Sequence, residues 1–503
     1  MTERTRRAPP RAGAMIEALR GLGYSTATAL ADIIDNSIAA HASQVDIVFT
    51  WSGYSSTIGV LDNGMGMSDH ELELAMRLGD RNPLEMRAID DLGRFGLGLK
   101  TASFSQCRRL TVASRKAQET SCLRWDLDVI AASKDDGWYI LEGPSIGSEH
   151  LLLPLDSESS GTLIIWENLD RIVTASYNEQ DFLDLVDKVE RHLAMVFHRF
   201  VSGPKARLRL TINGRAVEPW DPFLTDNTAT WTSPLARIPA EGGAVEVQCF
   251  VLPHKDRLDP VVHDIAGGPD GWTAQQGFYV YRNERLLVAG SWLGLGRGRS
   301  WTKEEAHRLA RIRLDIPNTA DAIWKIDVRK STARPPVSIR EKLTRLAEDT
   351  RNRARRIFAH RGQALRTAGG GNLEEVWRVE HFNGGIRYRI DKNHAAIRDV
   401  LDSASHTNEP EILAMLRVIE ETIPVQRIWL DTAEAKETPR TGFAGEASSE
   451  VKSILMVMYR NMVIRKGVSP ALARERLLRT EPFNSYPEIV GNLPEISSNM
   501  EQL

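Results

Sequence analysis

The stretch STATALADIIDNSIAA, residues 25–40, decides how the rest of the chain is read. Leu30, Ile33, Ile34 and Ile38 recur at helical spacing and predict an amphipathic helix. Asp32 and Asn36 stand four residues apart, so they project from one face, one turn from each other. The apolar set takes the opposite, core-facing side. A carboxylate and an amide oxygen stacked in this way suit a hydrated Mg2+ and a held water, because Mg2+ takes few protein oxygens and fills its shell from water and substrate phosphates. Taken alone, the motif reads first as a polar helix face.

Two further motifs follow in order. In VLDNGMGM (60–67) a carboxylate, Asp62, ends an apolar strand. Burying it is costly unless it meets a donor, and the exocyclic amine of adenine is one. Gly64 and Gly66 let the backbone turn sharply and leave room for a flat ring. In DLGRFGLGLKTAS (91–103), Gly93, Gly96 and Gly98 lead into a helix. The free N–H groups at such a helix start receive an anion, with Lys100 adding charge and Thr101 a hydroxyl. The spacing is not that of a Walker A loop, since only Leu99 separates Gly98 from Lys100.

Each motif is weak alone; the three together, in this order and spacing, are not. They resemble the ATP-binding domain shared by gyrase B subunits, the large heat-shock chaperones, sensor histidine kinases and MutL, the GHKL superfamily. The likeness rests on D-x-x-D-N (32–36), D-N-G-M-G-M (62–67) and G-x-x-G-x-G-x-K-[ST] (93–101). Gly161-Thr162, at the start of a predicted strand, matches a fourth element of the family. The resemblance implies an α+β protein whose N-terminal part is a Bergerat-type α/β sandwich, with ATP between the helices and a mixed sheet. It implies Asp62 and Thr162 on adenine, Asn36 on Mg2+ through the triphosphate, Asp32 as the group that activates water, and residues 79–92 within a lid over the phosphates. The phrase A-[acid]-x-I-D-N and the run GTLIIWENL look like bacterial MORC-like proteins, with MutL-type ATPases also near. The next region then resembles a transducer domain, which supplies a cation to the γ-phosphate. In WKIDVRKS (324–331), Lys330 is the expected residue, with Lys325 second. One departure stands out. Members usually carry Glu where this chain has Asp32, one methylene shorter. A misplacement of about 1 Å can cost roughly 100-fold in rate, so slow hydrolysis is expected.

The remaining sequence sets the frame. The chain has 503 residues, 64 Lys plus Arg against 67 Asp plus Glu, and a net charge of −3, which excludes a histone-like polycation. Cys107, Cys122 and Cys249 are far apart, so neither a disulfide framework nor a Cys-rich zinc site is expected. No membrane-spanning run or apolar signal core is read, and a cytoplasmic location is expected. Residues 1–12 read as a basic arm and 13–200 as the ATP-binding domain. Residues 201–345 read as the transducer-like domain and 346–503 as a mixed, largely helical C-terminal region.

Within these regions, residues 207–212 running into Asn213-Gly214 predict a hairpin at the start of the second region. A hairpin turning at Asn283-Glu284, a short helix near 303–312 and a strand near 323–328 follow. In the C-terminal region the sequence predicts a basic run at 351–366, a Gly hinge at 369–371 and a hairpin turning at 383–385. Helices are expected at 411–423 and 450–465, with a linker at 432–449.

The function implied is a Mg-dependent ATPase that forms a homodimer on binding ATP and acts as a clamp or switch. DNA is the expected client, through the basic run and the Gly/Arg loop 294–300. The MORC-like resemblance points to a bacterial antiviral or restriction-type system. No nuclease motif is present, so cutting would fall to a partner. The alternative is a chaperone-like ATPase acting on protein clients without DNA. A histidine kinase does not fit, because no His precedes Asp32.

Overall fold

Strand β1 (Gln44–Thr50) buries Val45, Ile47 and Phe49 and turns the alternate residues outward, the period of a strand with one face on a core. It belongs to an eight-stranded mixed sheet. The other strands are β2 (Thr57–Asp62), β3 (Arg109–Lys116), β4 (Glu119–Asp126), β5 (Leu141–Glu142), β6 (Gly161–Glu167), β7 (Arg209–Ile212) and β8 (Arg215–Ala216). Their order is β5-β4-β3-β6-β2-β1-β7-β8. Helices α1 (Ala12–Arg20), α2 (Thr26–Ala39), α3 (Asp69–Met76), α4 (Gly98–Phe104) and the helix Glu179–Val196 contribute to one core with this sheet. Ile16, Leu30, Ile33, Ile34, Phe104 and Leu193 meet Val45, Ile47, Val60 and Trp166 there. A smaller cluster of Ala113, Leu155, Leu163 and Ile165 completes the burial of β3 and β6.

The computed structural model describes residues 10–21, 23–79, 98–133, 137–203, 206–320, 323–327, 330, 332–359, 376–382, 385–404, 408–425, 428, 449–480 and 483–496. These divide between two compact units, Met1–Gly362 and Gln363–Leu503. The α+β fold class expected from the sequence is the one observed. The arm through residue 9, the lid from residue 80, Gly93, Gly96, the 369–371 hinge, residues 360–366 of the basic run and the linker to residue 448 lie outside the described residues.

The hairpin turning at Asn213-Gly214 forms, with both residues at positive φ, 48° and 79°, as a primed hairpin turn requires. It does not open the second region. β7 runs parallel to β1, pairing Gln44 with Arg209 and Ile47 with Ile212, so the hairpin finishes the first sheet. Leu208, Leu210 and Ile212 feed the first core, which is what draws it there.

The second sheet contains β9 (Trp231–Thr232), β10 (Ala236–Ile238), β11 (Val245–Val251), β12 (Gly277–Arg282), β13 (Arg285–Ser291) and β14 (Ala310–Ile316). β14 lies in its middle, between β11 and β12. The helix expected near 303–312 is therefore wrong. A helical turn covers only Glu305–His307, and the strand follows directly. Ala310, Ile312, Leu314 and Ile316 alternate with Arg311, Arg313 and Asp315, a period of two that Leu309 and Ile312 disguise as a helical step. The strand expected near 323–328 is likewise absent from the described residues 323–327. They form a turn anchored by the buried Trp324, with Lys325 at φ 51°. A long helix, Val337–Ala359, continues past position 345 and seats Ile339, Leu343, Ala347 and Ala354 in the second core.

The helix Glu179–Val196 meets the second sheet through Met195, which packs with Phe223, Phe250, Tyr279, Tyr281 and Leu286. The Arg199 guanidinium stacks 3.4 Å from the centre of the Tyr281 ring and pairs with Asp315 at 2.5 Å.

The second unit holds a hairpin, Trp377–Phe382 with Gly385–Ile390, and helices Glu409–Glu421 and Ser449–Arg460. Its own core includes Leu455, Tyr459, Leu477, Phe483 and Val490. Among the described residues no helix is long and apolar enough to cross a membrane.

Arg20 fixes the first helix. Its side chain is buried, its Nε donates to the Phe104 carbonyl at 2.8 Å, and its Nη2 pairs with Asp170 at 2.5 Å. Arg20→Leu strands that carbonyl and one carboxylate, and is expected to cost about 3 kcal/mol. Urea unfolding measures this; a change below about 0.5 kcal/mol would show that α1 is held by its apolar face alone.

Candidate functional site

Helix α2 begins with a reciprocal capping box. The Ser25 hydroxyl accepts from the Thr28 N–H while the Thr28 hydroxyl accepts from the Ser25 N–H. The cap sets the rotation of the helix, and with it where three polar residues point. Leu30, Ile33 and Ile34 pack into the core as the periodicity predicts. The other face is not a solvated one. Asp32 and Asp35 are buried, and Asn36 is exposed one turn after Asp32. No hydrogen bond engages the Asn36 amide among the described residues, so its oxygen fits a hydrated Mg2+.

The burial of Asp32 and Asp35 comes from the second sheet's side. Lys330 Nζ lies 3.0 Å from Asp32 Oδ1 and 2.5 Å from Asp35 Oδ2. Arg285, the first residue of β13, donates Nε to Asp35 Oδ1 at 3.0 Å. Burial pushes the Asp35 carboxyl up, but Arg285 and Lys330 outweigh it and hold the group below the usual carboxylate range. Lys330 itself stands at φ 53°, in the left-handed region, and its N–H closes a turn onto the Asp327 carbonyl. Asp327 Oδ1 accepts from the Thr332 N–H and shapes the same turn. Lys325 is exposed, so of the two sequence candidates Lys330 is the one brought to α2.

A second group forms where β2 and β6 meet. Ile58, Val60 and Asp62 alternate on the buried side of β2, so the strand period carries the Asp62 carboxylate under α2. There it accepts from Ser37 Oγ at 2.8 Å and from the Gly64 N–H at 2.9 Å. Burial raises its pKa, against the donors Gly64, Ser37 and the Thr162 backbone. Thr162 pairs with Asp62 across the ladder, and its hydroxyl shares a 2.9 Å hydrogen bond with Ser114. Ser114 in turn accepts from the Met67 N–H at 2.8 Å. Gly66 is at φ 64°, and a Cβ there would stand 1.9 Å from the Arg115 carbonyl oxygen, so only glycine fits.

The third motif enters as α4. Gly98 begins the helix, and a Cβ on it would lie 3.8 Å from Asp32 Oδ2, which places the helix start beside that carboxylate. Thr101 is fully buried. Lys100 is also buried and donates to the Ala75 carbonyl at 2.8 Å, tying α4 to the end of α3.

The structure thus gathers Asp32, Lys330 and Gly98 at one point, and Asp62, Gly64, Gly66 and Thr162 at another, with α2 running between them. Sequence reasoning missed Asp35, Arg285 and Tyr24, whose hydroxyl donates to Asp32 Oδ2 at 3.0 Å. Asp35 was legible only as a letter of the D-x-x-D-N pattern; Arg285 follows a tight turn and carried no signal.

Residues 24–162 match a family model described as "Histidine kinase-, DNA gyrase B-, and HSP90-like ATPase". Of the candidate site residues singled out in the sequence, all but Lys325 and Lys330 fall inside that span. A stretch of 98 residues is 33% identical to a DNA mismatch repair protein MutL of Allorhizobium ampelinum, covering 20% of this chain and 16% of the relative. A stretch of 112 residues is 34% identical to a DNA mismatch repair protein MutL of Paramagnetospirillum magneticum, covering 22% and 18%. The matched part is therefore less than a fifth of either relative's length.

Asp35→Ala takes away the carboxylate that Arg285 pairs with and leaves Lys330 paired with Asp32. The expected loss is about 3–5 kcal/mol. The sign with pH follows from the depressed pKa: the contribution is complete above the unfolded carboxylate range and fades as pH falls. Urea midpoints of both proteins between pH 7 and pH 3 should converge toward acid. Parallel curves would mean that Asp35 is held by packing rather than by charge.

Proposed function

With residues 24–162 a GHKL-type ATPase domain of MutL type, we propose that this protein is a slow Mg-dependent ATPase that uses Lys330 to sense the γ-phosphate and dimerises on ATP as a clamp on DNA. The observation that carries this reading is the Lys330 ammonium held against both carboxylates of α2. A terminal phosphate beside Asp32 offers the same ammonium a stronger anionic partner. Lys330 then leaves Asp32, and Asp32 regains the capacity to accept a proton from the attacking water. The cation and the base are thereby exchanged in one movement, and the segment that carries Lys330 reports the nucleotide's state to the second sheet.

In this reading Asp62 accepts from the adenine amine beside Thr162, and the glycines at 64 and 66 leave space for the ring. Asn36 holds Mg2+ on the triphosphate, and the metal supplies neutralisation of phosphate charge. The start of α4, through Gly98 and Thr101, receives the phosphates together with the glycines at 93 and 96. Lys100 contributes its charge from behind that helix.

DNA as client is supported by exposed Lys342, Arg355 and Arg356 on the helix Val337–Ala359, by the partly exposed loop around Arg297 and Arg299, and by the relatives' role in DNA mismatch repair. The MORC-like phrases support service in a bacterial antiviral or restriction-type system. In this reading any strand cutting falls to a nuclease partner.

Nucleotide binding is tested by calorimetry. Asp62→Asn should lose about 1–3 kcal/mol of ATP affinity, and Asn36→Ala should remove the Mg2+ dependence of binding. Asp32→Ala should bind ATP and fail to turn it over. Wild-type affinity in Asp62→Asn, or unchanged turnover in Asp32→Ala, would defeat the respective assignment.

The clamp is tested by light scattering. A non-hydrolysable ATP analogue should raise the dimer fraction, and Lys330→Ala should blunt the rise. A monomer in every nucleotide state would sink the clamp. DNA affinity should fall steeply with added salt; no salt-dependent binding would favour a chaperone-like ATPase with protein clients.

A further inference from the structure

Asp32 is gripped at both oxygens, by partners from different parts of the chain. Lys330 holds Oδ1 from a turn that belongs to the second sheet's side. Tyr24 holds Oδ2, with its hydroxyl at 3.0 Å, from a position immediately before the capping box of α2. The ring is buried, and the Tyr24 carbonyl accepts from Gln106 Nε2 at 3.3 Å, so its backbone is tied to the segment after α4. The Tyr24 hydroxyl also meets the Thr101 side chain of α4, the helix whose start lies beside Asp32. One phenol therefore joins the shortened carboxylate to the phosphate-motif helix.

We propose that Tyr24 is the positioning residue for hydrolysis: its hydroxyl fixes the rotation of the Asp32 carboxylate relative to α4, so that a short acid presents Oδ1 to water once Lys330 has left. This rests on Asp32 being the group that accepts the water's proton. A carboxylate free to turn about its last bond would lose the alignment that an effective base needs, and the shorter side chain has no reach in reserve. Burial raises the phenol's own pKa, so it stays a donor throughout the neutral range. During turnover Tyr24 gains and loses no proton. The water's proton goes to Asp32, and the hydroxyl remains bonded to the same carboxylate.

The experiment is Tyr24→Phe, which deletes one oxygen and keeps the ring. Expected are a fall in kcat of about 10- to 100-fold and an ATP Kd and KM within about twofold of wild type, a change of under 0.5 kcal/mol. A purely structural role would lower the melting temperature and leave kcat unchanged where the protein is folded. Wild-type kcat in Tyr24→Phe, or a raised KM at unchanged kcat, overturns the proposal. Asp32→Asn is measured alongside. If it is inactive while Tyr24→Phe behaves as wild type, Tyr24 alone is misassigned. If Asp32→Asn turns over normally, the base reading fails and takes the Tyr24 role with it.

Discussion

Two carboxylates on one helix and two cations from far along the chain hold this structure's centre. Asp32 and Asp35 would be expensive to bury alone, and so would Lys330 and Arg285. Together they balance, and each cation reaches Asp35 within hydrogen-bonding distance. The arrangement dictates that the polar face of α2 is covered, that β13 begins where Arg285 can reach it, and that the turn after Trp324 approaches a helix 295 residues earlier in the chain. Buried ion pairs contribute little net stability compared with apolar packing, so their use here is better understood as alignment. Charge matching at this depth tolerates one relative placement of helix and turn.

The part of the site legible in the sequence is the part built from local patterns. Helix α2, strands β2 and β6 and the turn at Gly64 to Gly66 each follow from spacing and residue type within a dozen positions. Asp62 was found because a carboxylate ending an apolar strand is chemically odd. What stayed hidden depends on contacts between distant segments. Asp35 sits on the same helix as Asp32, yet its burial is caused by Arg285 and Lys330, about 250 and 295 residues away. In the sequence Tyr24 is an aromatic next to a helix cap, with no motif around it. Nothing in its neighbours shows that its hydroxyl reaches the acid eight positions on.

The secondary-structure misses have the same origin. β7 reads as the start of something new because a hairpin follows it, but a parallel partner cannot be seen locally, and here that partner is β1. β14 carries three charged residues among its seven, which hides a central strand. Arg311 is fully buried in it, its guanidinium donating to the Gln275 carbonyl and the Tyr279 hydroxyl and lying near the faces of Trp272 and Tyr279. Charge thus reads as exposure in a sequence, while in this sheet carbonyl, phenol and aromatic surface replace water around it.

The left-handed backbone at Lys330 has a consequence for how this chain can change over generations. Residues that adopt that conformation with least strain are glycine and asparagine, and neither carries a positive charge. A substitution that relaxed the turn would therefore remove the ammonium, and one that kept the charge would keep the strain. Under the role proposed for the ammonium, stability and nucleotide response would pull this position in opposite directions. The chain has lysine there and, with it, both the charge and the left-handed backbone.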